Sequence, residues 1–357
     1  MARALALAAR GLATSQPNPR VGCVLVRDGH ILAEGWHERA GGPHAEAMAL
    51  ARALEGVAGA TAYVTLEPCN HHGRTPPCSE ALIKAGVVRV VYAVGDPNPL
   101  VNGSGARRLR AAGVQVESGL MEAEAIELNA GFIKRMRLGL PLVRVKMAMS
   151  LDGRTALSDG SSKWITGEAA RQDVQYWRAR SSAVLTGIGT VLADDPLLSV
   201  RPSRPGVRQP LRVILDSELR TPPAARVFDG AAPQGVWIFT AAGNRNRIAA
   251  LEARGARVEQ AATEAKVDLV QVLASLGKSG VNEVLVEAGA TLAGALIQQQ
   301  CVDELLLYVA PVVLGDRARG LVQLPEPQSL GQARRFEMIE SVAVGADLRI
   351  RLRMANS

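Results

Sequence analysis

Four residues in two short stretches carry chemistry. "GGPHAEAMAL", residues 41–50, places His44 and Glu46 two apart at the head of an alanine-rich helical pattern, and "TLEPCNHHGRTPPC", residues 65–78, adds Cys69 and Cys78. A catalytic zinc takes three protein ligands and keeps a fourth position for water, and a neutral imidazole with two thiolates cancels the ion's charge. His44, Cys69 and Cys78 form such a set. Glu46 is not needed as a ligand, so it is available to take a proton from the attacking water and hand it to a departing amine. A purely structural zinc would want a fourth ligand and leave Glu46 without a task.

For this to work, residues far apart in the chain must meet. "VGCVLV" and "HILAEG" flank Arg27-Asp28-Gly29, a hairpin turn. Then follow a helix over 44–54, a strand at "AYVTLE", a helix over 78–85, a strand at "VVRVVYAV", a helix near 105–112 and a short strand at "VQVE". Strands separated by single helices imply a largely parallel sheet with helices against it. Helix N-termini then gather at one sheet edge, where the macrodipole favours thiolates. The opening "MARALALAARGLATS" reads as an amphipathic helix with Leu5, Ala8 and Leu12 on one face, and one long helix is expected over 122–137. "LGLPL", residues 138–142, is the best boundary, because Gly139 and Pro141 stop that helix. Domains are expected at 1–140 and 141–357.

The second half alternates again, with strands at "LVRVKMAMS", "AVLTGI", "LRVILDS", "GVWIFT", "NEVLVEA" and "ELLLYVAPVVL", and a half-exposed hairpin strand in "AVGADLRIRLRM". In "NEVLVEAGATLAGALI" a buried-type strand ends at Glu287, Gly289 follows, and Thr291 opens an apolar helix carrying Gly294. Small residues there let a phosphate approach backbone N–H groups. "LTGIGTVLADD" has Leu192 where a dinucleotide fingerprint wants glycine, which argues against a standard Rossmann site.

The 357 residues exceed one comfortable core, and 48% hydrophobic with 21% charged residues is an ordinary globular composition. The net charge of +7 is shared between the halves, and aromatics make up 3% of the chain. Neither a concentrated basic surface nor a stacking platform for nucleic acid results. No apolar run approaches the roughly 18 residues that cross a bilayer, and the opening stretch is too short for a secretion signal before Arg10, so a cytoplasmic protein is expected. Four cysteines are too few to staple such a chain. Cys23 and Cys301 read as packing residues.

The first constellation resembles the zinc nucleobase deaminases, whose signature is H-x-E…P-C-x-x-C. Pro68-Cys69 matches, but Cys78 comes nine positions later instead of three. That wider spacing, with "HHGRTPPC" and "SQPNPRVGCVLV", is similar to the riboflavin-biosynthesis deaminases. In the second half, "KMAMSLDGRTA", "SSKWITG", "TGIGTVLADDPLLSVR" and "VEAGATLAGALI" occur in the order seen in the reductase half of bifunctional riboflavin-biosynthesis enzymes. The resemblance covers nearly the entire chain.

It implies an α/β protein with an N-terminal cytidine-deaminase-like three-layer α/β/α domain and a C-terminal dihydrofolate-reductase-like α/β domain. The implied reactions are deamination of a phosphorylated pyrimidine, then NADPH reduction of its ribosyl group. One zinc ion would sit on His44, Cys69 and Cys78, with Glu46 catalytic and Asn18 and His71 touching substrate. Ala148, Trp164, Thr190, Asp194, Gly289, Ala290, Thr291, Leu292, Ala293, Gly294 and Ala295 would line NADPH. Lys146, Ser162, Arg178, Leu198, Arg201 and Glu287 would hold the reductase substrate, the arginines being suited to its phosphate. A homo-oligomer, dimer or tetramer, is expected, with "CVDELLLYVAPVVL" apolar enough for a subunit contact. A deaminase of tRNA or DNA would leave the second domain unexplained, and a zinc-stabilised binding module would give Glu46 no role.

Overall fold

In the computed structural model, residues 1–54, 56–70, 76–98, 102–202, 206–232 and 235–355 are described. They divide into two units, one of residues 1–140 with Gly206–Arg208 and one of the remainder. His71, expected at the substrate, lies outside the described residues.

The first unit runs α1 (Ala2–Ala9), β1 (Gly22–Arg27), β2 (His30–Trp36), α2 (Ala45–Arg52), β3 (Thr61–Leu66), α3 (Cys78–Lys84), β4 (Arg89–Val94), α4 (Ser104–Ala111), β5 (Gln115–Ser118), α5 (Glu122–Leu128) and α6 (Ala130–Leu138). Asp28 and Gly29 both have positive φ, 51° and 79°, which lets β1 and β2 close a two-residue hairpin. The sheet order is β2-β1-β3-β4-β5, antiparallel through β1 and parallel from β3 to β5. Helices α2, α3 and α4 seal one face around Cys23, Leu25, Val64, Leu82, Val90 and Leu109. On the other face α1 and α5 pack, through Ala4, Leu7 and Ala125. This is the three-layer arrangement. The first turn of α2 presses on β2 at Gly35, where a Cβ would strike the Ala45 carbonyl and the Ala49 amide. Only glycine permits that approach, and it fixes the level at which His44 and Glu46 enter.

Two expectations are corrected. The long helix over 122–137 is two helices, broken at Asn129 (φ −113°, ψ 16°). Its amide completes a pair with the backbone of Arg20, accepting from the N–H at 2.8 Å and donating to the carbonyl at 2.9 Å. Burying that exchange outweighs helix continuity at a residue of weak helix propensity. At the N-terminus α1 ends at Ala9, so Leu12 lies beyond it and Leu7 takes the buried face.

The second unit comprises β6 (Leu142–Ser150), β7 (Arg154–Ala156), α7 (Glu168–Arg180), β8 (Ala183–Gly187), α8 (Ile188–Asp194), β9 (Leu211–Leu215), β10 (Val236–Thr240), α9 (Arg245–Glu252), β11 (Ala256–Gln260), β12 (Ala262–Thr263), β13 (Lys266–Val267), α10 (Leu269–Lys278), β14 (Glu283–Glu287), α11 (Ala290–Gln298), β15 (Glu304–Ala310), β16 (Arg319–Gly320), β17 (Phe336–Val344) and β18 (Asp347–Met354). Its main sheet has the order β11-β10-β9-β8-β14-β6-β15-β18-β17. It is parallel from β11 to β15 and closed by the antiparallel β18 and β17. The strand expected over 304–314 stops at Ala310, because Pro311 has no N–H to continue the ladder.

At the base of β6 lies a buried ionic cluster. Arg144, 2% exposed, donates to Glu304 at 2.8 Å and to Glu283 at 3.2 Å, and Arg351 also reaches Glu304 at 3.1 Å. The Arg144 guanidinium lies 4.6 Å from the Trp177 ring centre. Removing one member leaves an uncompensated buried charge. We therefore expect Glu304→Ala to lower the unfolding free energy by about 3–5 kcal/mol in urea titration, while removal of Glu117, exposed beside Arg89, should leave the midpoint where it was. Equal effects would mean that the buried cluster contributes no more than a surface pair.

Candidate active site

The loop after β3 delivers Cys69, the first residue of α3 is Cys78, and His44 is the N-cap of α2. His44 Nδ1 lies 3.5 Å from Cys69 Sγ and 3.4 Å from Cys78 Sγ. The Cys78 amide points at Cys69 Sγ from 3.5 Å, and the Ser79 amide donates to the Cys69 carbonyl at 3.1 Å, so the α3 N-terminus organises the cysteine loop. Glu46, 3% exposed, sits in the first turn of α2. Burial, reinforced by the charge on Cys69, pushes its carboxyl up to about 7. Hydrogen bonding from the Cys78 thiol, against the opposing effect of burial, holds Cys69 down at about 4. Cys78 is pushed up, first by that same bond and then by burial.

His44, Glu46 and Cys69 line a cavity of about 560 Å³ with Asn18, His37, Asp96, Asn98, Phe132 and Arg135 on its walls. His37, 3% exposed, has Nδ1 2.9 Å from the Pro43 carbonyl and Nε2 3.0 Å from Asn18 Nδ2. On the cavity wall the buried Glu67 accepts from the amides of Gly103 (3.0 Å) and Ala106 (3.1 Å), tying the α4 N-terminus to the cysteine loop.

In the second unit, Glu287 ends β14 and stands directly across the ladder from Lys146 on β6. Arg178 of α7 grips Glu287 with both arms, at 2.6 and 2.8 Å, and donates to the Ser199 carbonyl at 2.9 Å. Burial opposes ionisation of Glu287, yet Arg178, Lys146 and Arg201 together hold its carboxyl below the usual range. Burial likewise lowers the Lys146 amine, with Glu287 resisting. So Lys146, Arg178, Arg201 and Glu287 form one group. The other expected residues differ in exposure. Leu198 is buried in the core. Ser162 and Trp164 are exposed, Arg171 stacking 4.6 Å from the Trp164 ring centre. Asp194 makes an exposed ion pair with Lys163 at 3.5 Å. Thr190 and Ala148 are half-buried.

Gly289 caps α11 without a side-chain hydrogen bond, and a Cβ there would meet nothing within 4 Å. Thr291 is exposed, and Ala290, Leu292 and Ala295 are half-buried. Ala293 and Gly294 face inward instead. A Cβ on Gly294 would collide with the Gln323 carbonyl, so that glycine serves the packing of the helix.

Residues 1–94 match the model of the cytidine and deoxycytidylate deaminase zinc-binding region, and residues 141–350 match that of the RibD C-terminal domain. The riboflavin biosynthesis protein RibD of Escherichia coli (strain K12) is 50% identical over 99% of this chain and 98% of its own. The chain belongs to the RibD family. RibD from Haemophilus influenzae is 48% identical over 98% of the chain and 95% of its own length. RibD from Acinetobacter baumannii superposes with a TM-score of 0.92 at 47% identity, covering 99% of this chain and 98% of that one. A Thermotoga maritima structure, titled diaminohydroxyphosphoribosylaminopyrimidine deaminase/5-amino-6-(5-phosphoribosylamino)uracil reductase, gives 0.88 at 34% identity, covering 99% and 97%. Like other RibD proteins, this one is a bifunctional enzyme of riboflavin biosynthesis, a zinc-dependent deaminase joined to an NADPH-dependent reductase.

The donor set fits zinc. Tetrahedral zinc with bonds of about 2.05 Å to nitrogen and 2.3 Å to sulfur separates those ligands by about 3.6 Å, close to the spacing that His44 keeps from both sulfurs. The three ligand atoms all lie within 4.8 Å of one another. The sequence reading missed His37, Glu67, Asp96, Asn98 and Arg135. "GDPNP" was the available signal for two of them, since it follows a parallel strand at the edge where α/β sites form. His37 and Glu67 gave none, being single polar residues beside strands. We expect Cys78→Ser to reduce bound zinc from about one per chain to a small fraction, measured by elemental mass spectrometry. Retention of full zinc would mean that the metal lies elsewhere.

Proposed function

We propose that residues 1–140 deaminate 2,5-diamino-6-(5-phosphoribosylamino)pyrimidin-4-one and that residues 141–357 then reduce its ribosyl group, giving 5-amino-6-(5-phosphoribitylamino)uracil. The observation that carries this reading is the meeting of His44 Nδ1 with two cysteine sulfurs beside a buried carboxylate in a cavity. Held by His44, Cys69 and Cys78, zinc supplies the Lewis acidity that makes water a nucleophile near neutral pH. Glu46, buried in the first turn of α2 beside the cluster, takes the proton from that water and returns it to the amine that leaves. Asn18, on the cavity wall, contacts the pyrimidine.

In the second unit NADPH supplies the hydride. The first turn of α11, Gly289 to Thr291, offers backbone N–H groups to a cofactor phosphate, with Trp164, Thr190 and Asp194 completing the cofactor wall. Lys146 holds a proton beside Glu287, within reach of the sugar's ring oxygen as the ribosylamine opens to an imine. Arg178 is committed to Glu287, so the exposed Arg201 is the better partner for the substrate phosphate. The exposed Val312 and Val313 after β15 support a homo-oligomer, dimer or tetramer. Among the described residues no helix is long and apolar enough to cross a membrane, which suits a cytoplasmic enzyme of small molecules.

The test is product mass after incubating zinc-loaded protein with the diaminopyrimidine ribotide. Exchange of an amine for a carbonyl without NADPH, and gain of two hydrogens only with it, would establish both steps and their order; an unchanged substrate would sink the reading. Glu46→Gln should keep its zinc yet lose ammonia release by about 10²–10⁴-fold, with reduction of the already deaminated compound intact. Lys146→Met should do the reverse. Loss of both activities in either variant, with the fold preserved, would count against two independent sites.

A further inference from the structure

Resting on the deaminase reading above, the best-defined polar contact in the cavity besides the metal ligands is the chain Pro43–His37–Asn18. The Pro43 carbonyl can only accept, so His37 Nδ1, 2.9 Å away, carries the proton and donates. His37 is 3% exposed and meets the His44 ring edge-on, 5.6 Å between centres, so its position is fixed by packing as well as by this bond. Asn18 Nδ2 faces Nε2, and an amide nitrogen only donates, so Nε2 accepts with its lone pair. Asn18 meets that lone pair at 3.0 Å, and only its NH₂ can do so. The amide is thus oriented, and Asn18 Oδ1 makes no hydrogen bond within the described residues. Asn18 itself is held from behind, since the neighbouring Arg20 backbone is clamped by Asn129.

We propose that His37 is a positioning residue, which fixes the Asn18 amide with its oxygen presented to the cavity as an acceptor. The deaminase site thereby selects a pyrimidine edge that bears an N–H donor. The diaminopyrimidinone carries such donors on its ring and exocyclic nitrogens; a ring edge with only acceptor nitrogens would meet a lone pair and be rejected.

The first test is spectroscopic and independent of turnover. In zinc-loaded protein with ¹⁵N-labelled histidine, His37 is one of five histidines, assigned by the signal lost in His37→Gln. It should show the Nδ1–H tautomer, the minor form of free histidine near neutral pH. The Nε2–H tautomer would turn the Asn18 amide round and overturn the proposal. The second test is kinetic. His37→Leu should lower kcat/KM for deamination 10- to 100-fold with zinc content and reductase activity unchanged, and His37→Gln, whose side-chain oxygen can accept from Asn18, should recover most of the loss. Equal losses in both variants, or loss of zinc in the leucine variant, would assign His37 a structural role and overturn the proposal. Were the wild-type protein inert toward the ribotide, the deaminase reading would fail while the tautomer result still stood.

Discussion

Two sulfur atoms against one imidazole nitrogen are a charge problem before they are a metal site. Cys69 ionises readily and Cys78 resists because the first thiolate is already beside it, and Glu46 adds a third acidic group in the same buried space. Without a cation the three cannot all be ionised. A divalent ion with an open coordination position would remove the conflict and leave room for water beside Glu46. The scaffold follows from this need. Two helix N-termini must reach the same edge, so β3 and the hairpin have to place α2 and α3 side by side, and Gly35 must admit α2 to contact with β2. The Cys78 and Ser79 amides then bind the cysteine loop.

Much of this was legible from spacing alone. Alternating strand and helix patterns gave the element order, and with it Glu46 and Cys78 in first turns; His44, expected in the first turn as well, caps α2 one residue earlier. The unread part depends on contacts made across long stretches of chain. Asn129 looked like one position in a continuous helix, because periodicity does not register a side chain that pairs with a backbone 109 residues away. His37 and Glu67 sit at strand ends where a polar residue is unremarkable, and their meaning appears only once Asn18 and the α4 N-terminus stand opposite them. In the reductase half the motif 289–295 was read as one surface. Helical geometry spreads seven consecutive residues around the axis, and Ala293 and Gly294 are the two of that stretch that are buried.

The second unit meets the opposite electrostatic demand. A single carboxylate, Glu287, lies among Lys146, Arg178 and Arg201, and the group carries an excess of positive charge in partly buried surroundings. The arrangement is paid for locally by the bidentate Arg178 pair, which satisfies Glu287 and keeps it ionised even under burial. What remains unbalanced is the charge of Lys146 and Arg201, and an anionic substrate complements it. The parallel ladder makes this possible, since Glu287 and Lys146 share a register on adjacent strands, whereas at the other end of those strands Arg144 bridges Glu283 and Glu304, with Arg180 on Glu283 and Arg351 on Glu304. β6 and β14 thus carry, at one end, a cluster in which each carboxylate is met by arginines and, at the other, the Glu287 group where, on the reading proposed here, chemistry occurs. Uncompensated charge at the C-terminal edge of a parallel sheet is costly to keep, and on that reading an anion bound there would recover the cost and tie substrate affinity to the electrostatics of the fold.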